Sequence, residues 1–335
     1  AARTARYLPL GIPAGTRGYV ERAVRSGKLA SATFRVKGDL WDFPFYTARN
    51  TREGEFRIAA RMEDVGFAYV PSEPALGDEP AWVSPWPALS KVSGDLVIDR
   101  NTLEVRNAQA QLGNLALSKV QAGIASLADR SVLTVDGTAR GPLADMLRFV
   151  NATPVGAWTG QALARATASG PAELKLGLNI PLWDVSTTTV KGSVALTGND
   201  LRISPDTPLL GAAKGRVDFS QKGFAVVGAS ARVLGGDATF EGGAIADGSL
   251  RFTGQGTASA EGLRRASELG WVSKLAGSLS GQAAYRMTLG FVHGLPEFNI
   301  TSNLVGLAAD LPAPLRKAAE TPLALRYQTT LAPDS

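Results

Sequence analysis

Most of this chain alternates apolar and polar residues with a period of two, which is typical of strands that bury one face of a sheet. Phe56, Ile58 and Met62 alternate with charged residues in one long run. The alternation changes phase at Glu63-Asp64, and this predicts a β-bulge or a bend within a single long strand.

Two further runs are separated by a short polar segment at residues 220–223. Val217 and Phe219 precede this segment, and Phe224 and Val226 follow it. Such a pattern predicts a β-hairpin. Similar runs recur at intervals of about 8–14 residues as far as the C-terminal end, which favours a long antiparallel meander over a series of βαβ units.

Helical signals are few. The spacing of apolar residues and the N-terminal Pro or Ser residues predict short helices near residues 13–25, 142–150, 259–269 and 314–320. The predicted fold class is therefore mainly β: a long, curved antiparallel sheet, shaped as a groove or open barrel in a repeat-like meander, with a few short helices capping or lining its rim. We expect residues 1–335 to form one continuous elongated segment, with weak boundaries near 71–87 and 151–158.

Composition removes most enzymatic chemistry. The 335 residues include no Cys and one His, His293, which excludes disulfides and Cys-ligated metals and argues against His-based catalysis. No complete phosphate-binding loop, dinucleotide fingerprint or serine nucleophile elbow occurs. The sequence predicts a protein that is not an enzyme, with no cofactor and no metal site.

The net charge of +5 is concentrated near the start of the chain, where residues 1–61 hold twelve Lys and Arg but five Asp and Glu. A basic end of this kind is either a solvated surface or a contact for anionic lipid headgroups. The arginines are dispersed and accompany no nucleic-acid motif, so nucleic acid is not expected as a partner.

The apolar alternation leaves two interpretations open. A β-sandwich or barrel would bury the apolar face against its own side chains, whereas a curled sheet could bind acyl chains on that face. In the second interpretation, the residues expected to face the groove are Phe56, Ile58, Met62, Val194, Leu196, Val217, Phe219, Phe224, Val226, Leu250, Phe252, Tyr285, Met287, Leu289, Phe298, Ile300, Leu323 and Leu325.

Several short motifs occur in a characteristic order along almost the whole chain. They include Gly38-Asp39-Leu40 before Phe43-Pro44-Phe45, Trp86-Pro87-Ala88-Leu89, Gly141-Pro142-Leu143-Ala144-Asp145, Asn179-Ile180-Pro181-Leu182, and the segment from Leu311 to Lys317. In this order the chain resembles the YhdP branch of the AsmA-like superfamily, the TamB-related proteins of the Gram-negative envelope.

This resemblance implies a periplasmic segment of a bridge-like lipid-transfer protein, with an elongated groove-shaped sheet that conducts phospholipid between the inner and outer membranes. The implied partners are phospholipid acyl chains, membranes contacted through other parts of the protein, and other envelope proteins. The chain begins without Met and has no long apolar span, so we expect a membrane anchor to lie outside it. The family contributes no catalytic residues. The alternative is a structural or protein-interaction β-module of the envelope with a self-packed core.

Overall fold

The computed structural model describes residues 13–46, 54–128, 130–244, 250–292 and 295–329. Within these residues, 17 strands belong to one sheet, and the strand pairs whose register is resolved run antiparallel. The prediction of a mainly β chain with one long antiparallel sheet and a few short helices is confirmed. His293 lies outside the described residues.

The strands are mostly 10–14 residues long. They are β1 (Val24–Lys37), β2 (Glu55–Phe67), β3 (Leu89–Asp99), β4 (Thr102–Leu112), β5 (Leu115–Ile124), β6 (Val132–Pro142), β7 (Thr167–Ala168), β8 (Pro171–Pro181), β9 (Thr189–Arg202), β10 (Leu210–Ser220), β11 (Gly223–Val233), β12 (Gly236–Ala244), β13 (Leu250–Ser259), β14 (Leu279–Val292), β15 (Leu295–Ser302), β16 (Leu307–Ala309) and β17 (Leu325–Thr329).

The helices are short, and all but the first lie between strands. They are α1 (Ala14–Ala23), α2 (Leu143–Ala152), α3 (Pro154–Trp158), α4 (Ala260–Arg265) and α5 (Trp271–Leu275), with 3₁₀ turns at Leu40–Asp42, Val185–Thr187, Ser267–Leu269 and Ala276–Ser278.

The first three predicted helices agree with α1, α2 and α4. At α4, the Ser259 hydroxyl accepts a hydrogen bond from the Gly262 backbone N–H at 3.0 Å, which is the expected role of an N-cap serine. The fourth predicted helix, at residues 314–320, is wrong. Lys317 there pairs in a β-bridge with Ala309, with backbone N···O distances of 3.0 and 2.9 Å, so its backbone groups bond across the chain rather than along a helix.

The chain divides into two compact units. Unit 1 comprises Ala1–Gly141, Ala152–Val155 and Leu174–Lys191, and unit 2 comprises Pro142–Asn151, Gly156–Glu173 and Gly192–Ser335. The prediction of one continuous segment stays a prediction.

Unit 1 contains the meander β1 to β6, whose register places apolar residues opposite one another. One row across these six strands runs Phe34, Ile58, Ile98, Leu103, Ile124 and Leu133. The predicted bulge at Asp64 is present, because the β2–β3 register shifts between Met62 and Val65 and Asp64 has a φ of 52°. A bulge that inserts a residue returns the following apolar side chains to the same face of the sheet.

Unit 2 contains a second meander through β10 to β15 and β17. The predicted hairpin at residues 220–223 is confirmed, since Ser220 pairs with Gly223 around a two-residue turn. An apolar row runs Val217, Val226, Gly242, Phe252, Leu289 and Phe298 across the unit. The buried cluster of Ala213, Ala231, Val233 and Ala238 lies on β10, β11 and β12.

Candidate functional site

One face of unit 1 carries ion pairs, most of them between neighbouring strands, and we call it the polar face of unit 1. Arg35 pairs with Glu55 at 3.3 Å from β1 to β2. Arg57 and Arg61 of β2 reach the carboxylates of β3, Asp99 at 2.8 Å and Asp95 at 2.9 Å, while Arg106 pairs with Glu104 on β4. Because these groups are partly exposed, each pair contributes at most about 1 kcal/mol to stability. Their consequence is a charged, partly hydrated face.

On the opposite face of unit 1, no residue that is paired with a residue of a neighbouring strand has a charged side chain. We call these residues the paired positions, and the face the apolar face of unit 1. Its members are Phe34, Val36, Phe56, Ile58, Ala60, Met62, Leu96, Ile98, Leu103, Val105, Ala122, Ile124, Leu133 and Val135. The alanine Ala60 is buried, but Ile58, Met62 and Ile98 are only half-buried. Large apolar side chains in mid-sheet therefore keep accessible surface, as a binding face requires.

Aromatic residues cover one end of this apolar face. The loop after β1 brings the Phe43 ring edge-on to Phe56, with ring centroids 4.7 Å apart. Phe45 of the same loop is 1% exposed. The contact with Phe43 explains why Phe56 is 8% exposed, whereas Ile58, the next residue on the same face, is only half-buried.

Unit 2 also has an apolar face that lacks charged side chains at its paired positions. Its members are Val217, Phe219, Phe224, Val226, Ala238, Phe240, Phe252, Tyr285, Met287, Leu289, Phe298, Ile300, Leu325 and Tyr327. The rings of Phe224 and Phe252 stack with centroids 5.6 Å apart, and they do so beside Gly242, whose missing side chain leaves room between their strands.

Tyr285 is the polar member of the predicted set. Burial raises the pKa of its phenol, so the group stays protonated and uncharged well above neutral pH. The apolar face of unit 2 therefore contains no ionised group at the paired positions near neutral pH.

The remaining predicted residues differ from one another in position and exposure. Val194 and Leu196 lie on β9, where Leu196 packs against the buried cluster of β10 to β12. Leu325 begins β17 and is 43% exposed, whereas Leu323 precedes that strand and donates its backbone N–H to Asn303. Leu250 lies on β13, and its side chain is outside the described part of the structure.

The sequence prediction missed the contribution of β3 to β6 to the apolar face of unit 1. Leu96 and Ile98 alternate before a tight turn, and Leu103 and Val105 alternate after it. These two pairs form the hairpin signal that could have revealed the additional residues.

Other chemistry finds little support in the described residues. They contain no group of three or more His, Cys, Asp and Glu side chains placed to hold a metal ion. No described helix is long and apolar enough to span a membrane.

In each unit, an antiparallel meander with one polar face and one uncharged apolar face defines an amphipathic β-sheet. The chain belongs to the YhdP family, because the model of that family, described as YhdP protein, matches residues 1–335. A curated relative, "Intermembrane phospholipid transporter YhdP" of Escherichia coli (strain K12), is 25% identical over 201 residues. That match covers 60% of this chain and 14% of the relative. No solved structure matches the chain.

Proposed function

We propose that this chain is a segment of an intermembrane phospholipid transporter, and that the apolar faces of its two units hold phospholipid acyl chains. The family membership and the transport function for which the relative is named support the class of cargo. The observation that carries the proposal is the segregation of charge, since in each unit the apolar face lacks charged residues at its paired positions.

An acyl chain on such a face replaces water at half-buried Ile58, Met62 or Met287. Each buried methylene contributes about 0.8 kcal/mol, so a chain of ordinary length gains several kcal/mol by lying along the face. A charged headgroup transferred to the same surface would lose its hydration without a compensating partner. The phospholipid is thus held with its chains on the apolar face and its headgroup in water.

This role uses no nucleophile, acid, base or metal, so the proposed protein is not an enzyme. Transport between membranes also implies a periplasmic location, with membrane contacts and any anchor supplied by other parts of a longer protein.

Paired substitutions on neighbouring residues test the proposal in the full-length protein. Ile58→Asp places a carboxylate on the apolar face of unit 1, whereas Ala59→Asp places one on the opposite face between two arginines. Met287→Asp and Thr288→Asp form the same comparison in unit 2. The measurements are co-purified phospholipid by native mass spectrometry and lipid transfer between donor and acceptor vesicles.

We expect the two apolar-face variants to lose bound phospholipid and transfer, and the two controls to retain both. Circular dichroism and thermal melting establish that each variant is folded. Undiminished lipid content in folded Ile58→Asp and Met287→Asp would contradict the proposal, and reproducible absence of lipid from the unmodified protein would favour a self-packed envelope module.

A further inference from the structure

The polar face of unit 2 contains a concavity of about 1230 Å³ that the proposed lipid function does not use. Its lining includes Lys214, Ser230, Thr239, Gln255, Arg286 and Thr301. These residues come from strands β10 to β15 and lie on the side of the sheet opposite the apolar face of unit 2.

The strand register places all six of these residues opposite one another in a single row. Lys214 pairs with Ser230, and the row continues through Thr239, Gln255, Arg286 and Thr301. Thr301 in turn pairs with Arg326 of β17. We call these seven residues the cationic row.

The cationic row contains three basic residues and no carboxylate. Arg326 donates a hydrogen bond to Gln328 at 3.0 Å, while Lys214 and Arg286 form no ion pair with any described residue. This differs from the polar face of unit 1, where the arginines of β2 each have a carboxylate partner. The one acid in the lining of the concavity, Asp237, lies 3.9 Å from Arg232.

The spacing of the charges indicates an elongated ligand. Four strand steps separate Lys214 from Arg286, or about 19 Å at about 4.8 Å a step. Arg326 lies two steps, or about 10 Å, further on. Between the cations stand hydroxyl and amide groups, which can hydrogen-bond to anionic oxygens.

We propose that the cationic row binds a linear polyanion that carries phosphate groups and lies across the strands of unit 2. Lys214, Arg286 and Arg326 neutralise phosphate groups of the ligand. Ser230, Thr239 and Gln255 hydrogen-bond to the part of the ligand that lies between Lys214 and Arg286. The row offers no aromatic side chain on which nucleic-acid bases would stack, and it lacks the apolar centre typical of a protein interface.

The test measures binding of inorganic polyphosphate to the full-length protein by calorimetry at several salt concentrations, with orthophosphate at equal phosphate concentration as a second ligand. The variant of the cationic row, which we call the trough variant, carries Lys214→Glu and Arg286→Glu. The control variant is Lys191→Glu with Lys222→Glu, which changes the net charge equally through two exposed lysines outside the concavity.

We expect polyphosphate to bind the unmodified protein and the control variant with similar affinity, and the trough variant at least tenfold more weakly. A flexible polyanion contributes about 0.7 to the logarithmic salt dependence for each phosphate contact, so losing two contacts should lower that slope by about 1.4. Orthophosphate should bind far more weakly, because it cannot bridge separated cations.

Three results would overturn the inference: no polyphosphate binding at low salt, equal losses in the trough and control variants, or orthophosphate binding as tight as polyphosphate. Co-purified phospholipid is measured on the same samples. We expect it to be unchanged in the trough variant, so failure of this inference is distinguishable from failure of the lipid proposal.

Discussion

The contact between Phe45 and Gly54 allows a quantitative test of how the end of the apolar face of unit 1 is held. Phe45 is 1% exposed and has a φ of 64°, a conformation that bulky residues adopt only when the surroundings compensate for it. A Cβ atom added to Gly54 would lie 2.0 Å from Cδ1 and 2.3 Å from Cγ of the Phe45 ring. The ring therefore occupies the space that any other residue at position 54 would fill.

Gly54→Ala should displace the Phe45 ring and lose the about 1.5–3 kcal/mol that burial of a Phe side chain contributes. Replacing Gly by Ala also restricts the unfolded chain, which returns about 0.4–1 kcal/mol. The expected net loss is about 0.5–2.5 kcal/mol. Phe45→Ala alone should cost about 3–5 kcal/mol, since it removes a fully buried ring.

The double variant decides whether the ring is the cause. Without the ring, the three atoms nearest the added methyl group are gone, so Gly54→Ala in the Phe45→Ala background should be neutral or stabilising by up to about 1 kcal/mol. The assay is urea denaturation of the purified chain followed by fluorescence and circular dichroism. Gly277→Ala serves as the control, because no atom lies within 4 Å of its added Cβ. An equal cost for Gly54→Ala with and without the ring would refute the reasoning.

Two further predictions concern a buried cation and a partly buried phenol. Lys317 is 8% exposed and its ammonium donates to the carbonyls of Leu307 at 2.7 Å and Ala318 at 2.9 Å, so Lys317→Met should lose about 1–3 kcal/mol and speed proteolysis of residues 303–324. The exposed neighbour Arg316→Met should change little, and equal protease resistance in both variants would contradict the prediction. Burial raises the pKa of Tyr69 to about 12, and the unfolded phenol ionises near pH 10, so stability should hold up to about pH 10 and fall between pH 10 and 12. Denaturation at pH 9 and 11 should show a smaller fall in Tyr69→Phe, and an identical fall would exclude Tyr69 as a contributor.

Local signals predicted the elements that local interactions form. The hairpin at residues 220–223 followed from turn residues between two alternating runs, and the bulge at Asp64 followed from a phase change in the alternation. The helix expected at residues 314–320 is absent because the backbone of Lys317 pairs in a β-bridge with Ala309, and the helical signals of that segment do not encode this pairing.

The prediction of the apolar faces was incomplete. Alternation identified much of the apolar face on β2 and on β10 to β15, and it omitted β3 to β6, although the missed residues Leu96, Ile98, Leu103 and Val105 alternate without interruption. Bulges interrupt the same strands further along, beside Asn107 in the β3–β4 pair and between Ser118 and Gln121 in the β5–β6 pair. Each bulge changes which residues share a face.

The sequence by itself determined the class of this protein: a mainly β chain, poor in catalytic groups, with apolar side chains repeating at every second position. These properties depend on composition and on the two-residue period of a strand, which are present in any short segment. Only the tertiary structure decided which residues meet across strands. Pairing over long sequence distances placed Phe34, Ile58 and Ile98 in one uncharged row of unit 1. In unit 2, the same kind of pairing placed Lys214, Arg286 and Arg326 in one cationic row.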